Sequence, residues 1–150
     1  MTTIESNSIS DTSKIAKDFL NTIKKGGTAT VVGLRGNLGS GKTTFTKTIA
    51  EHFGLKQTVS SPTFVIEKIY KLSPRQGLRE SQNFKHLIHI DAYRLESGEE
   101  LLTLGWGDIL KDAGNIIFIE WPENVLDVLP EDIRYIDFKF INETTREIEF

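Results

Sequence analysis

The chain contains no cysteine, which removes disulfide staples and thiolate metal sites from consideration. It also lacks any apolar run near the roughly 20 residues of a membrane span. The stretch Met1 to Asp11 is polar and has none of the basic-then-apolar layout of a secretory signal. No repeat and no low-complexity tract is present. An excess of positive charge is missing as well: the net charge is -3 and the pI about 5.6, which argues against tight autonomous binding to nucleic acid. Lys68, Lys71, Arg75, Arg79 and Lys85 do gather along one stretch, and a solvated edge kept from aggregating by lysine is the simpler reading of them. What remains is an ordinary composition: 38% hydrophobic residues and a mean hydropathy of -0.24. At 150 residues a single domain with one continuous core is expected, with the cytosol as its simplest home and no membrane partner.

One segment carries chemistry outright. Gly36-Asn37-Leu38-Gly39-Ser40-Gly41-Lys42-Thr43 fits G-x-x-x-x-G-K-[ST], the phosphate-binding loop of nucleotide triphosphatases. Its glycines let the backbone curl so that successive amides face phosphate oxygens. Lys42 brings an ammonium to the outer phosphates, Thr43 a hydroxyl to magnesium, and the following helix aims its N-terminus at the same anion. The flanks agree. Thr28 to Leu34 reads as a buried strand. Beyond the loop, Phe45, Ile49 and Phe53 recur at helical spacing with Gly54 as a stop.

The rest of the pattern suggests a mixed sheet flanked by helices, an α/β fold with antiparallel additions. Ser10 to Lys25 reads as a helix capped by Ser10 or Asp11 and ended by Gly26-Gly27. Thr63 to Leu72 and Phe84 to Asp91 read as an antiparallel pair around a polar loop, Ser73 to Asn83. Glu96 to Lys111 is helical in pattern and split by Gly105 and Gly107. Asn115 to Trp121 is nearly all apolar, as befits a strand buried on both faces. Ile133 to Phe140 and Arg146 to Phe150 form a terminal hairpin around Asn142 to Thr145.

Hydrolysis or transfer needs a metal-holding carboxylate beside the loop. Leu87-Ile88-His89-Ile90-Asp91 and Ile116-Ile117-Phe118-Ile119-Glu120 each end an apolar strand in an acid. In open α/β sheets ligands bind beyond such strand ends, and an acid there facing Thr43 completes a shell of hard oxygens for magnesium. Helix caps or surface ion pairs are the plain alternatives. Trp121 is either core packing or a wall of the site. His89 shares a face with Asp91 and either orients a carboxylate or water, or is a hydrogen-bonded structural residue. Ser61-Pro62-Thr63-Phe64 is either a switch that reads the terminal phosphate or a turn into a strand.

Four blocks in series, Gly36-x-Leu38-Gly39-x-Gly41-Lys42-Thr43-Thr44-Phe45, Ser61-Pro62-Thr63-Phe64, His89-x-Asp91-x-Tyr93-Arg94-Leu95 and Ile119-Glu120-Trp121-Pro122-Glu123, resemble the signature blocks of the TsaE (YjeE) family. With the N-terminal helix and Leu104-Gly105, the resemblance covers nearly the whole chain. It implies a P-loop ATPase needed for threonylcarbamoyladenosine modification of tRNA beside the anticodon. Such a protein acts with the TsaB–TsaD heterodimer, uses ATP and Mg2+, and meets tRNA only through that complex. By matched positions it implies Lys42, Asp91 and Glu120 as catalytic groups and Thr43, Glu120 and Asp91 around magnesium. Nucleotide contacts would come from Asn37, Leu38, Gly39, Ser40, Gly41, Lys42, Thr43 and Thr44, from Thr63 in the switch and from Trp121, with Thr12 by the adenine ring. The chain departs from the family pattern at Asn37, where Asp is usual, at Ile90 and Ala92, and in a longer Ser73 to Asn83 loop.

A small-molecule kinase of the same fold is the alternative, with Arg75 and Arg79 on a lid. A regulatory GTPase would carry an Asn-Lys-x-Asp motif, which does not occur. A nucleotide-sensing module with degenerate catalysis fits poorly with Lys42, Thr43, Asp91 and Glu120 all in place.

Overall fold

The structure is a computed structural model that describes residues 1–56, 59, 65–74, 79 and 82–150. Its frame is one seven-stranded mixed sheet. In chain order the elements are β1 (Thr3–Ser6), α1 (Ile9–Thr22), β2 (Thr30–Arg35), α2 (Lys42–His52), β3 (Glu67–Lys71), β4 (His86–Asp91), α3 (Glu99–Thr103), α4 (Trp106–Lys111), β5 (Asn115–Glu120), a 3-10 segment (Pro122–Val128), β6 (Arg134–Phe140) and β7 (Arg146–Glu149). Across the sheet the strands run β1-β7-β6-β2-β5-β4-β3. β6, β2, β5 and β4 are mutually parallel, while β3, β7 and β1 add antiparallel edges. The mixed sheet with helices and the two antiparallel pairs expected from the sequence are therefore present.

The strands are sorted onto two faces by their period of two. Val32, Leu34, Leu87, Ile116 and Phe118 pack toward α1 and α2, beside Phe19, Phe45 and Ile49. Val31, Ile88, Ile90, Ile117 and Ile119 pack on the other face with Leu101 and Trp106. β5 is buried along its whole length, because it lies between two parallel strands and under both layers. Edge-on ring contacts bind the first layer: Phe19 to Phe45 at 6.2 Å, Phe45 to Phe138 at 5.4 Å and Phe19 to Phe150 at 5.2 Å.

The same alternation aims the polar strand ends. Asp91 and His89 share the parity of Leu87, and Glu120 shares that of Phe118. All three therefore face the layer in which α2 begins. Since β2, β4 and β5 run parallel, their carboxyl ends meet on one side of the sheet. Asp91 stands opposite Glu120 in register, and the glycine-rich loop leaves β2 next to them.

Several boundaries differ from the sequence reading. The cap of α1 is Ser8, whose hydroxyl accepts from the Asp11 amide, not Ser10 or Asp11. Ser8 is the residue with extended backbone, as a cap requires. The helix also stops at Thr22, with Ile23 extended and buried in the core, ahead of Gly26-Gly27. The polar stretch Met1 to Asp11 contains a strand, β1, which is paired with β7 and so depends on a partner at the far end of the chain. The 3-10 segment after Trp121 was not foreseen either. Gly105, with φ 83, opens α4 and divides the helical stretch into two short helices as expected, whereas Gly107 lies inside α4 and does not interrupt it. The strand expected from Thr63 begins at Glu67 among the described residues; Thr63 itself and the Ser61-Pro62-Thr63-Phe64 reading lie outside them, as does Arg75. Lys68 and Lys71 lie on β3, at the edge of the sheet. Among the described residues no helix is long and apolar enough to cross a membrane.

Candidate functional site

The glycine-rich loop is anchored before it begins. Arg35, the last residue of β2, makes a two-pronged bond to Asp137 of β6 at 2.7 and 2.6 Å, and its guanidinium lies 4.3 Å from the centre of the Tyr135 ring. The chain then turns at Gly36, with φ 147, where a side chain would meet the Phe138 carbonyl at 2.5 Å and the Ser40 hydroxyl at 2.7 Å. Gly41, with φ 103, opens α2 and supplies no capping side chain. The first turn of α2 thus keeps its amide donors for a ligand. Gly36→Ala is expected to destabilise the protein by about 1–3 kcal/mol, from a close clash at a backbone angle that disfavours side chains. A thermal melt checks this, and an unchanged midpoint would show that the loop tolerates the methyl group.

Lys42 is almost fully buried. Its ammonium donates to the Gly36 carbonyl and, at 3.0 Å, to that of Asn37. It also lies 4.7 Å from the centre of the Trp121 ring. Burial pushes its pKa down, opposed by the negative charges of Glu120, Glu123 and Asp91. Trp121 holds this place with a left-handed backbone, φ 58, a conformation that costs a non-glycine residue of order 1–3 kcal/mol. Tyr93 leans on its ring at 5.1 Å.

Thr43, next along α2, donates its hydroxyl proton to Glu120 Oε1 at 2.7 Å. His89 Nε2 lies 3.0 Å from that same oxygen. Burial alone would raise the Glu120 pKa, but the hydrogen bond and charge of His89, the bond from Thr43 and the positive charge of Lys42 outweigh it. The carboxyl is held below its ordinary value. Asp91 is buried nearby and accepts from the Tyr93 amide at 2.9 Å.

These groups open into a cavity of about 530 Å³. Of the residues singled out in the sequence, Thr12, Leu38, Gly39, Ser40, Gly41, Lys42, Thr43, Thr44, Asp91, Glu120 and Trp121 line it. Asn37 does not line it and acts through its carbonyl on Lys42. At Thr12 the hydroxyl is 2.7 Å from that of Ser6, tying β1 to α1 at the rim. The sequence reading missed Arg146, Glu143 and Phe138, which wall the same space from the terminal hairpin. No local pattern marks them, because the β6–β7 pairing alone brings them to the loop. Among the described residues no group of three or more His, Asp or Glu side chains could hold a metal by itself. The oxygen donors present, the Thr43 hydroxyl and the carboxylates of Glu120 and Asp91, are hard ligands suited to magnesium that also binds phosphate oxygens.

Residues 6–148 match the family model described as "Threonylcarbamoyl adenosine biosynthesis protein TsaE". A Rickettsia typhi protein named tRNA threonylcarbamoyladenosine biosynthesis protein TsaE is 36% identical over 141 residues, covering 93% of this chain and 88% of its own. A protein of the same name from Bacillus subtilis is 36% identical over 120 residues, covering 80% of this chain and 68% of its own. The crystal structure of Bacillus subtilis YdiB superposes with a TM-score of 0.70 at 29% identity, over 98% of this chain and 82% of that one. With one family model spanning nearly all of its residues and relatives above a third identical, this chain belongs to the TsaE family.

Proposed function

We propose that this protein is a magnesium-dependent ATPase that serves threonylcarbamoyladenosine modification of tRNA together with a TsaB–TsaD heterodimer. The role in that modification follows from the names of its relatives. The observation that supports the ATPase reading is the 2.7 Å bond from the Thr43 hydroxyl to Glu120, made at the mouth of a glycine loop whose lysine is already in place. By giving its proton to the carboxylate, Thr43 turns its own oxygen lone pairs outward. The cavity volume is in the range of small-molecule sites.

In this reading the loop amides and the start of α2 hold the polyphosphate. Lys42 leaves its two carbonyl partners to neutralise the outer phosphates. Thr43 and Glu120 hold magnesium, which when bound draws charge from the phosphate oxygens. Asp91, fixed by the Tyr93 amide, helps to hold the ion or orients the attacking water. Trp121 walls the site, and Thr12, at the rim beside β1, meets the base. With a net charge of -3, which disfavours tight binding to nucleic acid on its own, the protein reaches tRNA only through its partners and works in the cytoplasm.

The test is phosphate release from ATP, with and without magnesium and with and without purified TsaB–TsaD, beside a panel of small phosphoacceptors. Release that needs magnesium and rises with the heterodimer is expected. Stoichiometric transfer to a small acceptor would instead establish a kinase.

A further inference from the structure

We propose that His89 is a positioning residue that sets the orientation of the Glu120 carboxylate and, through it, the site's response to magnesium. The inference rests on the ATPase reading of the site and concerns a residue outside the ligand-contacting set. Glu120 ends β5, and its carboxylate is oriented by two bonds, both to Oε1: one from Thr43 at 2.7 Å and one from His89 at 3.0 Å. Among the described residues no hydrogen bond reaches Oε2. The two donors are not equivalent. Thr43 sits on the cavity wall and engages whatever ion arrives. His89 is fully buried and comes from β4, a parallel neighbour of β5. Its ring is locked by the packing around it, so its Nε2–H points where the sheet puts it. With Oε1 held by both donors, Oε2 is the oxygen left for an arriving ion.

The other ring nitrogen supports this reading. Among the described residues His89 Nδ1, also buried, meets no hydrogen-bond partner, and an unsatisfied buried polar atom is a liability. As packing alone, a leucine or phenylalanine in the same place would be better. Among the described residues, the one bond this ring makes that an apolar side chain would not is the bond to Glu120. That bond needs only a proton on Nε2.

Two variants separate positioning from packing. Glutamine can place an amide N–H near the position of Nε2, whereas leucine fills the space with no donor. His89→Leu is expected to lower kcat about tenfold to a hundredfold and to shift the magnesium concentration that half-saturates nucleotide binding upward by a similar factor. Its affinity for ATP in the presence of a chelator should change less than about twofold, because the loop and Lys42 are untouched. His89→Gln is expected to recover most of both losses. In the wild type, nitrogen-resolved NMR should find a slowly exchanging imidazole N–H that moves in Glu120→Gln. This last readout needs no His89 variant to fold.

A wild-type magnesium dependence in His89→Leu, or no rescue by a folded His89→Gln, or an imidazole N–H unmoved in Glu120→Gln, would each overturn the proposal while leaving the ATPase reading intact. Wild-type protein that binds no ATP at all would overturn both, and the parallel wild-type titration tells the two failures apart.

Discussion

Lys42→Ala is expected to abolish measurable nucleotide binding while leaving the fold intact. The side chain is nearly inaccessible and sits at the centre of the loop, bridging the carbonyls of Gly36 and Asn37. Phosphate would replace those carbonyls as the partner of a desolvated ammonium. Removing one member of such a charge-assisted pair costs about 3–4 kcal/mol, on the order of a few hundredfold in affinity. Folding should suffer much less, since burial already disfavours this charge and alanine relieves that cost. Calorimetric titration with ATP beside a thermal melt checks both halves. Wild-type affinity in the variant would remove Lys42 from the phosphate site, and a collapsed melt would show that the loop depends on its two carbonyl bonds.

Glu120→Gln is expected to cut magnesium-dependent turnover about a hundredfold or more and to weaken ATP binding far less. Glutamine keeps the shape and an acceptor for His89 and Thr43 but brings no charge to a cation. The wild-type carboxyl is held below its ordinary value of 4.5, so it is ionised at neutral pH and available as a ligand without first losing a proton. The sign of the linkage follows. The stabilisation that this group gives the folded state is complete above its ordinary pKa and is lost as pH falls through the depressed folded value. The variant should therefore melt with a weaker dependence on acid than the wild type. Turnover at the wild-type rate would take Glu120 out of the reaction.

Much of this architecture was legible because it is written locally. The glycine-rich loop is contiguous, its glycines at 36 and 41 take backbone angles that other residues avoid, and strand and helix flank it within a few turns of chain. The acids Asp91 and Glu120 were legible as well, because each closes a short apolar run and parallel strands present such ends on one side. Elements that depend on distant partners were not. β1 is four residues of mixed polarity, Thr3–Ser6, whose strand character comes from pairing with β7 more than a hundred residues away. The cap at Ser8 was missed for a related reason, since the chain must first leave β1 before α1 can start.

The sequence by itself determined the chemical inventory: a glycine-rich loop, one lysine, one threonine, two strand-end acids, and an alternation that sorts each strand onto two faces. Only the tertiary structure decided how these meet. Sheet order set β5 between β2 and β4, which brought Glu120 within 2.7 Å of Thr43 and 3.0 Å of His89. Trp121, in a left-handed turn just past β5, lies against Lys42, and the pairing of the last strand carries Arg146 to the cavity wall. Such contacts between residues far apart in the chain depend on strand neighbourhood and register, which no local pattern encodes.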